Sequence, residues 1–141
     1  MLQKLYTAHA TATGGRDGHV SSSDGILNLD VRVPKEMGGN GGAYTNPEQL
    51  FAAGYAACFD SALNHVTRMQ KIKTGTTKVT ASVSIGKIDN GGFGLSVELE
   101  AEIPGIEQDL AEELVAKAHQ VCPYSNATRG NIAVNLVVKV A

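Results

Sequence analysis

The chain has 141 residues and a formal net charge of −2. This length fits one ordinary domain, so we expect a single domain over residues 1–141 with a buried core. No cluster of lysine or arginine is present, which argues against a nucleic-acid partner. The first residues do not resemble a signal or transit peptide, and no apolar run is long enough for a membrane span. We therefore expect a cytoplasmic protein without a membrane partner.

The first third of the chain predicts three strands and a glycine-rich connection. We expect strands over Leu2 to Thr13, over His19 to Ser22 and over Leu27 to Val33. In the third strand alternate apolar residues share one face, which is typical of a half-buried strand. The loop from Met37 to Tyr44 lacks the Gly-Lys-Ser/Thr ending of a phosphate-binding loop, so we interpret it as a connection.

A central helix is predicted from Asn46 to Met69. Asn46 can cap this helix, and Pro47 suits its first position because the missing N–H would have no partner there. From Leu50 to Phe59 nearly every residue is apolar or small. A helix that is apolar on all sides is normally buried on all sides, so we expect an enclosed helix that carries Cys58.

The second half predicts a hairpin, an amphipathic helix and a last strand. Apolar and polar residues alternate over 79–85 and 93–103, on either side of an Asp-Asn-Gly-Gly turn. Ile106 to Val121 has one apolar stripe, and the residues over 132–140 alternate again. This order predicts an α+β fold with mainly antiparallel strands. One small sheet covers the central helix on one side only, so we expect a homodimer with the two Cys58 helices at its centre.

Cys58 and Cys122 are the first candidates for chemistry. In a reducing compartment a permanent bridge is not expected, which leaves catalysis, a metal or inert burial. A buried cysteine is usually inert, and burial raises its pKa, so a reactive thiol needs a nearby cation. Arg16, in the run Gly-Gly-Arg-Asp-Gly, could supply that cation or could be a solvent-exposed turn residue.

Glu48 is a further candidate, with helix-dipole stabilisation as its ordinary role. Ten residues separate it from Cys58, a rise of about 15 Å along a straight helix. Either the helix breaks near Gly54, or Glu48 serves the site of a partner subunit.

Zinc ligation is a weaker alternative. His119 and Cys122 are one turn apart, and His65 lies two turns beyond Cys58, so a site with two cysteines and two histidines is conceivable. The chain has no Cys-x-x-Cys pair, and we expect no bound metal.

Three segments occur together in the chain: the turn TATGGRDG, the helix start NPEQLFAAGYAACF and the later run HQVCPYSNATRGNI. Together they resemble the organic hydroperoxide resistance proteins of the OsmC/Ohr family, in the same order and spacing over nearly the whole chain. The run VCPYSNATRGN indicates the Ohr branch. The resemblance implies an OsmC-like fold in an intertwined homodimer, and a thiol peroxidase that reduces organic, lipid-type hydroperoxides as a defence against oxidative stress.

The resemblance also implies a role for four residues. Cys58 matches the peroxidatic cysteine and Cys122 the resolving cysteine. Arg16 matches the arginine that holds the thiolate, and Glu48 the glutamate that positions this arginine. It further implies a sulfenic acid on Cys58 and a redox-active Cys58–Cys122 disulfide. No cofactor is implied; an external dithiol, such as the dihydrolipoyl group of a lipoylated protein, would recycle the disulfide.

Two other functions remain open from the residues themselves. The cysteines could form a redox sensor or small-molecule binding module that stops after one oxidation, or they could be inert thiols in a structural dimer. Phe51, Phe59 and Met69 could line a pocket for organic peroxides or belong to the core.

Overall fold

The computed structural model describes all of residues 1–141, and in it the chain forms two compact units. The units comprise Met1–Leu50 and Phe51–Ala141. Six strands and three α-helices follow one another along the chain, which confirms the α+β prediction. The expectation of a single domain stays a prediction. No helix is both long enough and apolar enough to cross a membrane.

The first unit contains a three-stranded antiparallel sheet. Its strands are β1 (Ala10–Thr13), β2 (His19–Ser22) and β3 (Asn28–Asp30), with β2 in the middle. The turn between β1 and β2 carries Arg16. A Cβ atom on Gly18 would lie 1.7 Å from the carbonyl oxygen of Thr13, so only glycine permits this close return of the chain.

Two strand predictions in this unit were too long. Residues 1–9 form no strand, because β2 ends at Ser22, opposite Ala10, and the chain turns away after Ser23, whose backbone N–H donates to the carbonyl oxygen of His9 at 2.9 Å. The third strand covers Asn28–Asp30 only, and Leu27 and Leu29 are exposed. Of the predicted apolar face Val31 alone is fully buried. The prediction of a half-buried strand was therefore wrong for most of its length.

Helix α1 covers Pro47–Met69, as predicted. The side chain of Asn46 accepts a hydrogen bond from the backbone N–H of Gln49 at 2.8 Å, which is the expected N-cap. The helix runs unbroken through Gly54, so the alternative of a break at that position was wrong.

Helix α1 is not enclosed within the single chain. Its buried residues lie on one face: Tyr55, Phe59, Ala62, Leu63, Val66 and Thr67. On the other side Ala53, Ala57 and Ser61 are exposed. One sheet and one packed helix cover one face of α1, as expected for a single chain, and the burial of its other face by a second subunit stays a prediction.

The second unit contains a three-stranded sheet of β4 (Lys78–Lys87), β5 (Phe93–Glu102) and β6 (Val134–Lys139). The first two strands form the predicted antiparallel hairpin, and β6 joins β5 in parallel. Helix α2 (Gln108–Val121) buries its apolar stripe in the core with α1 and β5. A short helix that was not predicted, α3 (Pro123–Thr128), follows at once. A proline in its first turn was the available signal.

Candidate active site

The first unit holds an ion pair between Arg16 and Glu48. The guanidinium donates one N–H to each carboxylate oxygen, at 2.9 and 2.6 Å, although 32 positions separate the two residues. Such a fork fixes the plane of the guanidinium as well as its position. The Arg16 side chain is 35% exposed and that of Glu48 14%, so the carboxylate is the more enclosed partner.

This pair keeps both groups charged. Hydrogen bonding to Arg16 lowers the pKa of Glu48 below its usual value, against the opposing effect of burial. Hydrogen bonding to Glu48 raises the pKa of Arg16. Arg16 is therefore a paired and partly buried residue of its turn. The role of this pair at a thiol stays a prediction.

The second unit brings the two cysteines together. The Sγ atoms of Cys58 on α1 and Cys122 between α2 and α3 lie 3.6 Å apart, although 64 positions separate them in sequence. Both thiols are free. Cys122 is 0% exposed, whereas Cys58 is only partly buried. A sulfur–sulfur bond of about 2 Å could form after a small approach of the two side chains.

Several groups of the second unit act on the Cys58 thiol. Burial raises the pKa of Cys58 above the ordinary value of 9.0, and the neighbouring Cys122 raises it further. The backbone N–H of Tyr124 hydrogen-bonds to Cys58 and lowers the pKa in part. A thiol with this raised pKa is largely protonated at neutral pH, so these neighbours by themselves do not make it a strong nucleophile.

Around the cysteines lies a chain of hydrogen-bonded polar side chains. The hydroxyl groups of Tyr55 and Ser125 are 2.8 Å apart, and those of Tyr55 and Thr128 3.2 Å. Nδ1 of His119 lies 2.8 Å from the Ser125 hydroxyl oxygen. Sequence reasoning missed these roles. Ser125 and Thr128, which follow Cys122, belong to no periodic pattern, and Tyr55 lies in a run of apolar residues that predicts only burial.

An apolar cavity of about 590 Å³ lies beside Pro123 and Tyr124, the two residues that follow Cys122. Its lining includes Phe51, Phe93, Leu95, Tyr124 and Ile132. Of the three residues proposed from sequence as pocket or core, Phe51 lines this cavity and Phe59 is fully buried core. Met69 is 71% exposed and belongs to neither.

The zinc alternative finds no support in the geometry. The structure contains no group of three or more histidine, cysteine, aspartate or glutamate side chains placed to hold an ion. His65 is exposed on α1, and His119 faces Ser125.

Comparison with known proteins identifies the family. The family described as OsmC-like protein matches residues 38–137. An organic hydroperoxide resistance protein of Xanthomonas axonopodis pv. citri (strain 306) is 57% identical over 135 residues, which is 95% of this chain and 94% of that protein. The protein belongs to the OsmC/Ohr family.

Structures of other OsmC/Ohr proteins share this fold. An organic hydroperoxide resistance protein from Elizabethkingia anophelis matches with a TM-score of 0.96 and 63% identity, over 99% of this chain and 100% of that chain. OhrB of Bacillus subtilis matches with a TM-score of 0.88 and 46% identity, over 96% of this chain and 100% of that chain. The OsmC-like fold expected from the sequence motifs is therefore confirmed.

Proposed function

We propose that this protein is a cysteine-based thiol peroxidase that reduces organic hydroperoxides to alcohols and protects against organic peroxide stress. The observation that carries the proposal is the 3.6 Å separation of the Cys58 and Cys122 sulfurs. The organic hydroperoxide resistance proteins to which the chain is similar support the substrate class.

Cys58 is the sulfur that meets the peroxide, because it is the more accessible of the two. Its thiolate attacks one oxygen of the O–O bond. The S–O bond forms as the O–O bond breaks, and the other oxygen leaves as alkoxide and takes up a proton to give the alcohol. Cys58 is thereby oxidised to a sulfenic acid.

Arg16 is the group we assign to the activation of this thiol. Cys58 needs a cation to be a thiolate at neutral pH, because burial raises its pKa. Glu48 holds the guanidinium of Arg16 in a fixed plane. A fixed guanidinium can stabilise the thiolate, and its remaining N–H groups can stabilise charge on the leaving oxygen.

The unbroken helix α1 bears on which subunit supplies Arg16. Glu48 and Cys58 are ten residues apart on this helix, a rise of about 15 Å. We assign the Arg16–Glu48 pair of one protomer to Cys58 of its partner in a homodimer. The exposed small residues Ala53, Ala57 and Ser61 on α1 support such a dimer, because two helices pack closely where their side chains are small.

Cys122 completes the cycle. Its thiolate attacks the sulfur of the Cys58 sulfenic acid, the S–S bond forms as the S–O bond breaks, and the hydroxide that leaves takes up a proton from the solvent to give water. An external dithiol then reduces the disulfide through two exchange steps and is itself oxidised to a disulfide. We propose a dihydrolipoyl group of a lipoylated protein for this role, with no bound cofactor and with the cytoplasm as the location.

The apolar cavity supports an organic hydroperoxide as the substrate. Pro123 and Tyr124 belong both to its wall and to the turn that follows Cys122. Its volume of about 590 Å³ lies in the range of small-molecule sites. An alkyl or aryl group on the peroxide can be buried there, whereas hydrogen peroxide offers no apolar surface to bury.

The test is turnover of cumene hydroperoxide with dihydrolipoamide as reductant. Wild-type protein should complete many cycles, and Cys58→Ser should complete none. Cys122→Ser should consume one equivalent of peroxide and then stop. Full turnover by Cys58→Ser would refute the assignment.

The same assay separates the two other functions. A redox sensor would stop after one oxidation even with excess dihydrolipoamide. Inert structural thiols would react neither with peroxide nor with iodoacetamide at neutral pH.

A further inference from the structure

We propose that Tyr55, Ser125 and His119 form a hydrogen-bonded clasp that positions the two cysteines for disulfide formation. The inference rests on the proposed function, in which the Cys58–Cys122 disulfide forms during turnover. It adds three positioning residues, none of which exchanges atoms with the peroxide or the reductant.

The clasp residues are spaced regularly about the cysteines. Tyr55 lies three residues before Cys58 on α1, and His119 and Ser125 lie three residues before and after Cys122. On α1, residues three apart lie on neighbouring positions of one face. Cys122 is not itself helical and links the last turn of α2, which carries His119, to α3, which carries Ser125. A bond from Tyr55 to Ser125 therefore joins the helix turn next to one sulfur with the helix turn next to the other.

The environment of the clasp makes its hydrogen bonds obligatory. Tyr55 and Ser125 are both 0% exposed, and Thr128 is 6% exposed. No buried side-chain polar atom in the chain lacks a partner. A buried hydroxyl group that loses its partner is costly, so α1 and the turn at Cys122 cannot separate without disrupting these bonds.

Further bonds fix the turn to which the clasp attaches. The backbone N–H of Cys122 donates to the carbonyl oxygen of Ala118 at 2.8 Å, and its own carbonyl oxygen accepts from Asn126 at 2.9 Å. The guanidinium of Arg129 donates to the carbonyl oxygen of His119. The backbone of Cys122 is thus bonded on both sides. The motion that these bonds leave is a shift of residues 119–126 as a unit relative to α1. The clasp removes this motion.

The consequence is a high effective concentration of one thiol at the other. Groups held in a reactive geometry combine much faster than the same groups on a flexible chain, because their relative motion is already restricted. A buried position alone would not give this effect, since apolar packing does not specify one orientation as directional hydrogen bonds do.

The experiment uses oxidised glutathione and measures ring closure, by which we mean the formation of the Cys58–Cys122 disulfide from a mixed disulfide of Cys58 with glutathione. The Cys58 thiolate attacks glutathione disulfide, which forms a mixed disulfide and releases one glutathione thiolate. Cys122 then attacks the Cys58 sulfur of this mixed disulfide, the Cys58–Cys122 bond forms, and the second glutathione thiolate leaves. Acid quenching and mass spectrometry follow the decay of the mixed disulfide, and the equilibrium ratio gives the effective concentration.

Tyr55→Phe removes the hydroxyl group at nearly constant volume, and Ser125→Ala removes the other partner. We expect each to slow ring closure about tenfold, the equivalent of about one buried hydrogen bond. Both single changes break the Tyr55–Ser125 bond, and each also removes one further bond, to Thr128 or to His119. The double variant should therefore be slower than either single variant, but by less than the product of the two single effects.

Thr67→Val is the matched control. Thr67 is also buried on α1, and its hydroxyl group donates to the carbonyl oxygen of Asn64 at 2.9 Å, nine residues beyond Cys58. The Thr67→Val variant should be less stable in urea, as the clasp variants are, but it should form the Cys58–Cys122 disulfide at the wild-type rate. If Tyr55→Phe closes at the wild-type rate too, the clasp is overturned. If Tyr55→Phe does not fold, His119→Ala replaces it, because His119 is less buried than Tyr55. A wild-type rate of disulfide formation in His119→Ala would then overturn the clasp.

The outcome is independent of peroxide chemistry. A wild-type protein that closes its disulfide with glutathione but does not reduce hydroperoxides would refute the proposed function and leave the clasp supported. A protein that reduces hydroperoxides at full rate while Tyr55→Phe closes normally would refute the clasp alone.

Discussion

Arg16 and Glu48 form a two-pronged ion pair, with N–O distances of 2.9 and 2.6 Å, from positions 32 residues apart. The turn that carries Arg16 depends on Gly18, and Glu48 lies in the first turn of α1. Two separate local structures therefore meet to fix one guanidinium. Arg16 is held at a defined angle, which a lone surface arginine would not be.

Glu48→Gln should slow the oxidation of Cys58 by organic hydroperoxide. The substitution removes the negative charge and replaces one acceptor by an NH₂ group that cannot accept from the guanidinium. A charge-assisted hydrogen bond contributes about 1.5–3 kcal/mol, so a loss of ten- to a hundredfold in the second-order rate constant is expected. Stopped-flow measurement of thiol loss checks it.

Glu36→Gln is the control for this prediction, because Glu36 is exposed in the same unit. Its rate constant should equal that of the wild type. Equal rate constants for wild type and Glu48→Gln would mean that the ion pair has only a structural role.

His119 should make the protein less stable as the pH falls. Burial lowers the pKa of His119 below 6.5, and the positive charge of Arg129 lowers it further. The unfolded chain takes up a proton below about pH 6.5, whereas the folded chain stays neutral at this position, so unfolding is favoured as pH falls from 6.5 towards the folded pKa. Urea midpoints at pH 7.5 and 5.5 measure the loss.

His119→Asn should reduce this loss, because asparagine does not titrate. The comparison with wild type isolates His119 from His19, whose pKa is raised by its hydrogen bond to Asp30 and which acts in the opposite direction. His65→Asn, at an exposed position of α1, should leave the wild-type dependence intact. A variant at His119 with an unchanged dependence would show that this histidine is not the cause.

Gly54→Ala should stabilise the protein only when the Tyr124 side chain is absent. A Cβ atom at position 54 would lie 2.8 Å from the Tyr124 hydroxyl oxygen, so the ring must move. Alanine in place of glycine inside a helix gains about 1 kcal/mol. In the wild-type background the displacement of Tyr124 from its contacts with Phe51 and Tyr55 should offset that gain, because such aromatic pairs contribute about 0.5–1.5 kcal/mol each.

A double-mutant cycle with Tyr124→Ala provides the measurement. Gly54→Ala should add about 1 kcal/mol to the unfolding free energy of Tyr124→Ala and little to that of the wild type. Equal gains in both backgrounds would mean that Tyr124 moves aside without cost.

Ala57→Arg should dissociate the proposed homodimer. Ala57 lies on the exposed side of α1, among small residues that would allow close packing of a second helix. A long charged side chain at the centre of such an interface would lose its hydration without gaining a partner. Sedimentation velocity at micromolar concentration should show a dimer for the wild type and a monomer for the variant.

Ala116→Arg is the matched control, since Ala116 is exposed on α2. This variant should sediment as the wild type does. A wild-type monomer at micromolar concentration would contradict the dimer itself.

The sequence predicted the elements that local chemistry controls. Asn46 and Pro47 marked the start of α1, and strict alternation around an Asp-Asn-Gly-Gly turn predicted the long β4–β5 hairpin. These signals act within a few residues, through caps, turns and the two-residue period of a strand. The predictions failed where a strand needed partners along its whole length: residues 1–9 formed no strand, and the third strand covers Asn28–Asp30 only.

The sequence by itself determined which residue types were available for chemistry: two cysteines, one arginine in a glycine-rich turn and one glutamate at a helix start. Only the tertiary structure decided that Cys58 and Cys122 lie 3.6 Å apart and that Arg16 meets Glu48. It also revealed the bond from Tyr55 to Ser125. Contacts over 32 to 70 positions depend on how whole helices and turns pack, and no local period in a sequence records that packing.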